Sequence, residues 1–477
     1  MAKSVGNRKN SHSKYEMVPP EGGWGYAIAG AVSLTFIVGI LPISVFGTVF
    51  GPFLASLGDE ITATSLITSI FNTSLFLTGL PANYLLQNYT YRKVGLVGAV
   101  IYSVGSFLTI FAGSISYMVI TYLLQGFGFG LMFPAVLSAF NEYWVTKQTV
   151  MMSVIQVIYG SVAIMFPTLT SKLLQEYGFK GTVAILSAFT LNGILALLAM
   201  QPVKWHYKKK EIAKEDTFAT ISEVLFGQPG EKEEPAECDV LMDSICEDPQ
   251  IKSIVQKNIV THDADNVGET IITRKTLVES LDLILFKDIV YVNMALGVSL
   301  ALTSDIVFMY ITPSLLNSYG FDDADITFTL TTFFATDLIG KISLGILTAI
   351  IKISNRQILL VGSIFVIVLR VAYTMNSSFW WIVTLSALLG FLRASVQTTF
   401  PLVFAERYGP RFPTAFSLFM VVCGTVALLT GLLSGVVKNI TNSDTMVVHF
   451  LTIMYSCCTV PWIVEIITKR GYGTATH

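Results

Sequence analysis

Long apolar runs alternate with short polar connections along this chain, and that alternation sets the first expectation. A helix rises about 1.5 Å per residue, so about 20 mostly apolar residues cross a bilayer. Runs of that kind lie at about 24–50, 60–86, 93–113, 117–141, 148–174 and 181–200. A second set lies at about 287–317, 324–350, 356–375, 379–405, 412–437 and 445–468. The pattern predicts an all-α membrane protein with twelve transmembrane helices in two pseudo-symmetric six-helix bundles. The chain then divides into an N-terminal tail (1–23), a first bundle (24–200), a central loop (201–286), a second bundle (287–468) and a C-terminal tail (469–477). Within the central loop, EKEEPAECD at 231–239 has no apolar periodicity and reads as linker. Near Thr276–Phe286 apolar and charged residues alternate at helical spacing, which suits a short interfacial helix leading into the seventh span.

Composition agrees. The chain is 53% hydrophobic and 13% charged, about half the charge density of soluble domains. A net charge of −2 gives no basic excess for nucleic acid. The five cysteines, Cys238, Cys246, Cys423, Cys457 and Cys458, have neither zinc-ligand spacing nor the pattern of a disulfide framework, and no metal or other cofactor is expected. The polar, basic first residues do not read as a cleavable signal peptide, because the first apolar run is too long and too late. Glycine first occurs at position 6, so there is no myristoylation signal.

Charge in the loops gives an orientation. One side holds Lys3, Arg8, Lys9, Lys14, Arg92, Lys93, Lys147, Lys204, Lys208–Lys210, Lys352, Arg356, Arg407, Arg411, Lys469 and Arg470. The other holds Asp59, Glu60, Glu176, Lys180, Asp322, Asp323, Asp325 and Lys438. Basic residues near spans stay on the cytosolic side, so both termini and the central loop are expected there. The sequons at Asn376 and Asn439 then fall outside, as candidate glycosylation sites. The halves also echo each other. Gly58-Asp59-Glu60 opens the second span and Gly320-Phe321-Asp322-Asp323 the eighth. Phe133-Pro134 lies in the fourth and Phe400-Pro401 in the tenth, as paired helix breaks of the kind duplicated transporters carry.

A charge inside a span is costly and marks function by default. Four stand out, all in the second half. Asp337 and Lys341 lie at i, i+4 on the eighth span, on one helical face. Asp305 lies mid-span in the seventh and Arg393 in the tenth. Two acids balance two bases. An anionic substrate needs a base freed from its acid, and protonating an aspartate frees it, which is a route to proton-coupled anion movement. The same four residues also suit an ion-pair network that only locks helices together, and the sequence leaves both open. Arg370 and Glu465, near span ends, are expected to reach the interface, and His449 to be structural. The first half offers only neutral polar residues, Asn72, Gln125, Asn141, Gln156 and Tyr159. Of these, Gln156 and Tyr159 are candidate cavity-lining contacts, with the aromatic Phe400 from the tenth span. No phosphate-binding loop, metal cluster, nucleophile elbow or potassium filter appears, so neither an enzyme nor an ATP-driven pump is expected.

The segment Pro19, Pro20, Glu21, Gly22, Gly23, Trp24, Gly25, Tyr26 resembles the signature that opens the first helix of the monocarboxylate transporter family. Tyr143, Trp144 and Lys147 fit the start of the family's fifth-span signature, whereas Gln148, Met151 and Met152 stand where a second base and small residues are usual. Asp337 and Lys341 correspond to the family's eighth-span aspartate–arginine pair, lysine keeping the charge but losing the bidentate fork. Ile43 follows Pro42 where the proton-coupled lactate and pyruvate carriers have a lysine. The resemblance implies the major facilitator fold, and a divergent member moving a monocarboxylate or a related carboxylate or amino-acid-like solute across the plasma membrane by alternating access. Protons and a single-span ancillary glycoprotein are partners known in the family. A membrane sensor or scaffold of the same fold, signalling through its central loop, is the alternative.

Overall fold

The computed structural model describes residues 15–18, 20–56, 60–206, 208–211, 282–351 and 353–473. Two units divide the chain. One comprises residues 1–18 with 208–276, the other 19–207 with 277–477. In the first, the described residues form an antiparallel pair of short strands, β1 (Tyr15–Val18) and β2 (Lys208–Glu211), with Tyr15 opposite Glu211. This pair is an addition to the all-helical expectation. The EKEEPAECD segment, Cys238 and Cys246 lie outside the described residues.

The second unit holds the helices: α1 (Trp24–Ser44), α2 (Phe46–Ser56), α3 (Glu60–Leu77), α4 (Gly79–Asn88), α5 (Tyr91–Thr109), α6 (Ile115–Tyr143), α7 (Gln148–Thr190), α8 (Asn192–Leu198), α9 (Ile289–Ser318), α10 (Asp323–Ile350), α11 (Asn355–Tyr373), α12 (Phe379–Tyr408), α13 (Phe412–Thr441) and α14 (Asp444–Gly473). They account for the twelve expected spans. Span one is α1 with α2, and span two is α3 with α4, interrupted at Thr78. Spans five and six run together in α7 and α8, parted by a kink at Gly178, whose φ of 65° only glycine adopts freely. Seven described stretches are long and apolar enough to cross a bilayer, and two of these, 148–198 and 379–441, each contain two spans. The protein is an integral membrane protein.

Local chemistry sets several helix starts. Ser114, Asp288, Asp322 and Ser354 each accept a backbone N–H from the first turn that follows, the usual N-cap solution for unpaired donors. The helix expected over Thr276–Phe286 is a 3₁₀ turn at Leu283–Lys287, its earlier part lying outside the described residues. The paired Phe-Pro positions do not break their helices. α6 continues through Pro134 and α12 through Pro401, since a membrane helix packed among neighbours tolerates the missing N–H of a proline.

The two halves meet chiefly along four spans. Span five packs on span eight and span two on span eleven. A Cβ on Gly160 would stand 3.1 Å from Leu338, and one on Gly345 3.1 Å from Ser153. Gly79 abuts Ser417 O and Gly424 abuts Phe76. Thr149 Oγ1 donates to Asn355 Oδ1 at 2.6 Å. All of these contacts lie toward the face whose loops carry Arg92, Lys147, Arg356, Arg407 and Arg411, here the basic face. One turn farther from it the same stripes emerge: Ile164 after Gly160, Phe334 before Leu338 and Leu428 after Gly424 are 55%, 46% and 49% exposed.

Candidate functional site

Small residues bring spans eight and ten together. A Cβ on Gly340 would stand 2.3 Å from Phe391 O, and one on Gly390 2.2 Å from Phe333 O. Close backbone approach of this kind is how membrane helices pack without a hydrophobic driving force between them. It sets Asp337 and Lys341 of α10 beside Arg393 of α12.

Lys341 Nζ donates to Asp337 Oδ2 at 2.7 Å, and both residues are 5% exposed. The other carboxylate oxygen, Asp337 Oδ1, is buried and accepts no hydrogen bond from the described residues. Arg393 Nε donates to Asp305 Oδ2 at 2.6 Å, and Gln397 Nε2 reaches the same oxygen at 3.5 Å. The Arg393 guanidinium lies over the Phe333 ring, 5.7 Å from its centroid, and within electrostatic range of Asp337 and of Tyr159 from span five. The site therefore borders the other half.

Arg370 corrects the sequence reading. It does not reach the interface but is 1% exposed. It donates from Nη2 to Asp305 Oδ1 at 3.1 Å and from Nη1 to Ser304 Oγ at 2.7 Å. Phe308 and Tyr455 rings flank it at 4.5 and 4.9 Å. A position near a helix end gives no sign of this, because the partner is a residue 65 positions away on another helix. The two-acid, two-base balance becomes two acids and three bases.

The remaining candidates are placed as follows. Gln156 and Tyr159 are half-buried on α7. Phe400 packs among Phe416 and Phe419, at 6.3 and 6.2 Å between centroids. Gln125 donates to Thr109 Oγ1 at 3.1 Å, an interhelical tie between α6 and α5. Asn376 is exposed in the loop before α12, and Asn439 is exposed in the last turn of α13. Glu465 is in α14. His449 Nε2 lies 3.5 Å from Thr374 Oγ1. No group of acids, histidines and cysteines that could hold a metal occurs among the described residues. A bowl of about 1180 Å³ opens at the basic face, lined by both halves, including Asn141, Glu142, Thr149, Asn355 and Glu406. It is separate from the buried charges.

The two signature segments interlock at the basic face. Trp144 is fully buried, donates from Nε1 to Gly25 O at 3.2 Å, and leaves only 3.1 Å to a Cβ on Gly25. That contact explains the glycine. Glu21 accepts from the backbone and the hydroxyl of Thr146. Trp24 Nε1 donates to Ala199 O at 3.2 Å and its indole stacks on His206 at 5.5 Å. Tyr143 and Tyr91 both donate to Gln201 O, at 3.1 and 3.2 Å. Spans one, three, four and six are thus tied where span five begins.

The family model for the Major Facilitator Superfamily matches residues 26–255. Human monocarboxylate transporter 7 is 22% identical over 402 residues, 81% of this chain and 75% of that protein. Bovine monocarboxylate transporter 13 is 25% identical over 193 residues, 40% of this chain and 45% of its own. Chicken monocarboxylate transporter 4 is 29% identical over 201 residues, 41% of each chain. The chain thus spans less than half the length of the bovine, rat and frog relatives it matches, and 75% of human monocarboxylate transporter 7. Among solved structures, the fucose:proton symporter of E. coli superimposes with a TM-score of 0.61 at 12% identity, over 93% of this chain and 99% of that one. The same symporter in an outward conformation gives 0.62 at 11% identity, over the same shares. The chain has the major facilitator fold, and its sequence is similar to the Major Facilitator Superfamily model over its first half and to monocarboxylate transporters at 22–29% identity.

Proposed function

We propose that this protein is a secondary transporter that moves a small organic anion, a monocarboxylate or a related carboxylate or amino-acid-like solute, by alternating access with proton coupling. The observation that carries this is the buried charge set bordering the interface between halves, and within it Asp337, paired through one oxygen and open at the other. A proton reaching Oδ1 displaces no donor. It neutralises the aspartate and loosens Lys341, adding positive charge beside Arg393, which anchors the substrate carboxylate. Substrate and proton together add no net charge, so loaded and empty carriers meet the same electrostatic barrier to reorientation.

With basic loops on the cytosolic side, the contact of spans two, five, eight and eleven toward the basic face serves as the inner gate. Both termini are then cytosolic and the membrane is the plasma membrane, as for carriers that exchange solutes with the medium. Asn376 and Asn439 lie outside as glycosylation candidates, and a single-span ancillary glycoprotein is a candidate partner. The relatives' printed names support the substrate class, and the fold neighbour's title names a proton symporter.

The test is uptake of a panel of labelled carboxylates and amino acids into proteoliposomes, with and without a pH gradient. Saturable uptake driven by an inward proton gradient is expected, with Asp337→Asn losing the gradient dependence and at least about tenfold of the rate. Saturable uptake indifferent to the gradient replaces symport by facilitated diffusion. Absence of flux for every solute favours the sensor reading.

A further inference from the structure

We propose that the basic face of the second half holds one anionic phospholipid by its headgroup, in a cup between spans seven, nine, ten and twelve rimmed by Arg356 and Arg407.

The cup has a volume of about 270 Å³, and its described lining includes none of the buried charges of spans seven to ten. Its floor is apolar and lies within the packing. Met294 of α9, Val403 of α12 and Trp462 of α14 are 4%, 2% and 1% exposed. Its rim is charged. Arg356 stands in the first turn of α11, and Glu406 and Arg407 stand in the last turn of α12. Arg356 is half-buried and the other two are exposed. The Arg356 guanidinium lies over the Trp462 ring, 5.1 Å from its centroid, a stack that orders this long side chain against the floor.

Size decides between a whole solute and part of a larger molecule. Clefts that enclose an entire small molecule run to roughly 300–1,000 Å³, and this cup falls below that range. A phospholipid needs only its phosphate and the neighbouring glycerol carbons housed, because its chains stay in the bilayer. The cup is placed for that division, at the basic-face ends of spans seven, nine and ten. Next in the chain to Val290 of the lining, Ile289 is 83% exposed, and Ile284 and Phe286 of the preceding turn are exposed as well. They offer apolar surface to acyl chains, from which a soluble anion gains nothing.

Charge selects the headgroup. Among the described lining residues two arginines stand against one carboxylate, Glu406. Glu406 Oε2 accepts the backbone N–H of Asn355 at 3.0 Å. That bond ties the end of span ten to the start of span nine and sets both arginines on one rim. The surplus of one positive charge suits a phosphodiester with one negative charge, and a planar guanidinium matches phosphate oxygens. A zwitterionic headgroup carries a cation to the same rim and loses that advantage. Basic pockets between membrane helices seat anionic headgroups on this principle.

Native mass spectrometry of the purified full-length protein in detergent measures the binding. The probes are dioleoyl phosphatidylglycerol, dioleoyl phosphatidylcholine and glycerophosphoglycerol, the soluble headgroup of the first. Phosphatidylglycerol is expected to bind at least about fivefold more tightly than phosphatidylcholine, and to stay bound in an excess of the soluble headgroup. Arg356→Gln and Arg407→Gln each lower its affinity by about fivefold, the effect of one basic residue at an anionic surface, and leave phosphatidylcholine unchanged. Arg411→Gln, on the same face but outside the lining, changes neither lipid. Arg407 is exposed, so its variant is expected to fold, and size-exclusion monodispersity checks each protein. Equal binding of the two lipids overturns the proposal. An equal loss in Arg411→Gln overturns it in favour of a diffuse basic surface, and displacement by equimolar glycerophosphoglycerol overturns it in favour of a soluble phosphate ester. The readout is binding alone, so the outcome is independent of the transport reading.

Discussion

At the scale of single residues the eighth-span pair carries the energetic stakes. Removing one partner of a buried ion pair strands the other charge, at about 3–5 kcal/mol. Lys341→Ala is therefore expected to lower unfolding stability by about that amount, while Lys341→Arg, which keeps the charge, stays within roughly 1 kcal/mol of the parent. Denaturation of the purified protein measures both, and a Lys341→Ala variant as stable as the parent shows that the pair is not buried as described. The spacing of Asp337 and Lys341 made this pair legible in the sequence, because i, i+4 on a helix fixes neighbours without reference to any other element. Arg370 was not legible. Its partners come from α9 and α14, and a hydropathy profile reports how deep a residue lies along its own helix, not what the neighbouring helices place beside it.

At the scale of elements, close crossings and latches position those residues. Spans eight and ten approach closely because Gly340 and Gly390 carry no side chain. Gly390→Ala places a methyl against Phe333 O, so the helices separate, at about 1–3 kcal/mol. The ring under Arg393 then shifts. A raised KM for the transported anion, with folded protein by size-exclusion, is the expected result, and an unchanged KM argues that the crossing does not shape the site. The latch at the start of span one carries a pH signature. Partial burial pushes the Glu21 carboxyl up, but hydrogen bonds from Thr146 and Val145 and the charge of Lys147 outweigh it and hold the group below its ordinary value of 4.5. A carboxyl lowered on folding adds stability that is full above its ordinary value and is lost as pH falls through the lowered one. Thermal stability of the parent should thus drop more steeply below about pH 4.5 than that of Glu21→Gln. Parallel curves for the two proteins count against the latch. The signature glycines and tryptophans made the segment recognisable in the sequence. That its Gly25 exists for Trp144 of the other signature emerged only from the packing.

At the scale of the whole molecule, glycine-lined contacts between the halves lie toward the basic face. Spans two, five, eight and eleven make the contact, through Gly79, Gly160, Gly345 and Gly424. Alternating access requires that contact to open. A disulfide between Ser153→Cys and Gly345→Cys spans this contact, where a Cβ at position 345 stands 3.1 Å from that of Ser153. Uptake should stop on oxidation and return on reduction, with each single-cysteine variant insensitive to oxidant. Transport that continues in the fully cross-linked protein removes these spans from the gate. The bowl at the basic face is lined by Thr149 and Asn355, which hydrogen-bond each other, and its lining does not include the charge cluster.

The sequence by itself determined the twelve helices, the grouping into two halves, the segregation of buried charge into the second half, and, through its first-span signature, the resemblance to a transporter family. Each of these depends on local regularities: apolar run length, loop charge, helical spacing and a short motif. The tertiary structure alone decided which charges meet. It moved Arg370 from the interface to the core, turned a balanced set into one with a spare positive charge, left one oxygen of Asp337 open, and carried α6 and α12 through prolines that read as breaks. The physical reason lies in the partners of buried charges. In a bilayer a buried polar group is satisfied only by another part of the protein, and that partner is supplied by a neighbouring helix whose place the chain reaches only by folding.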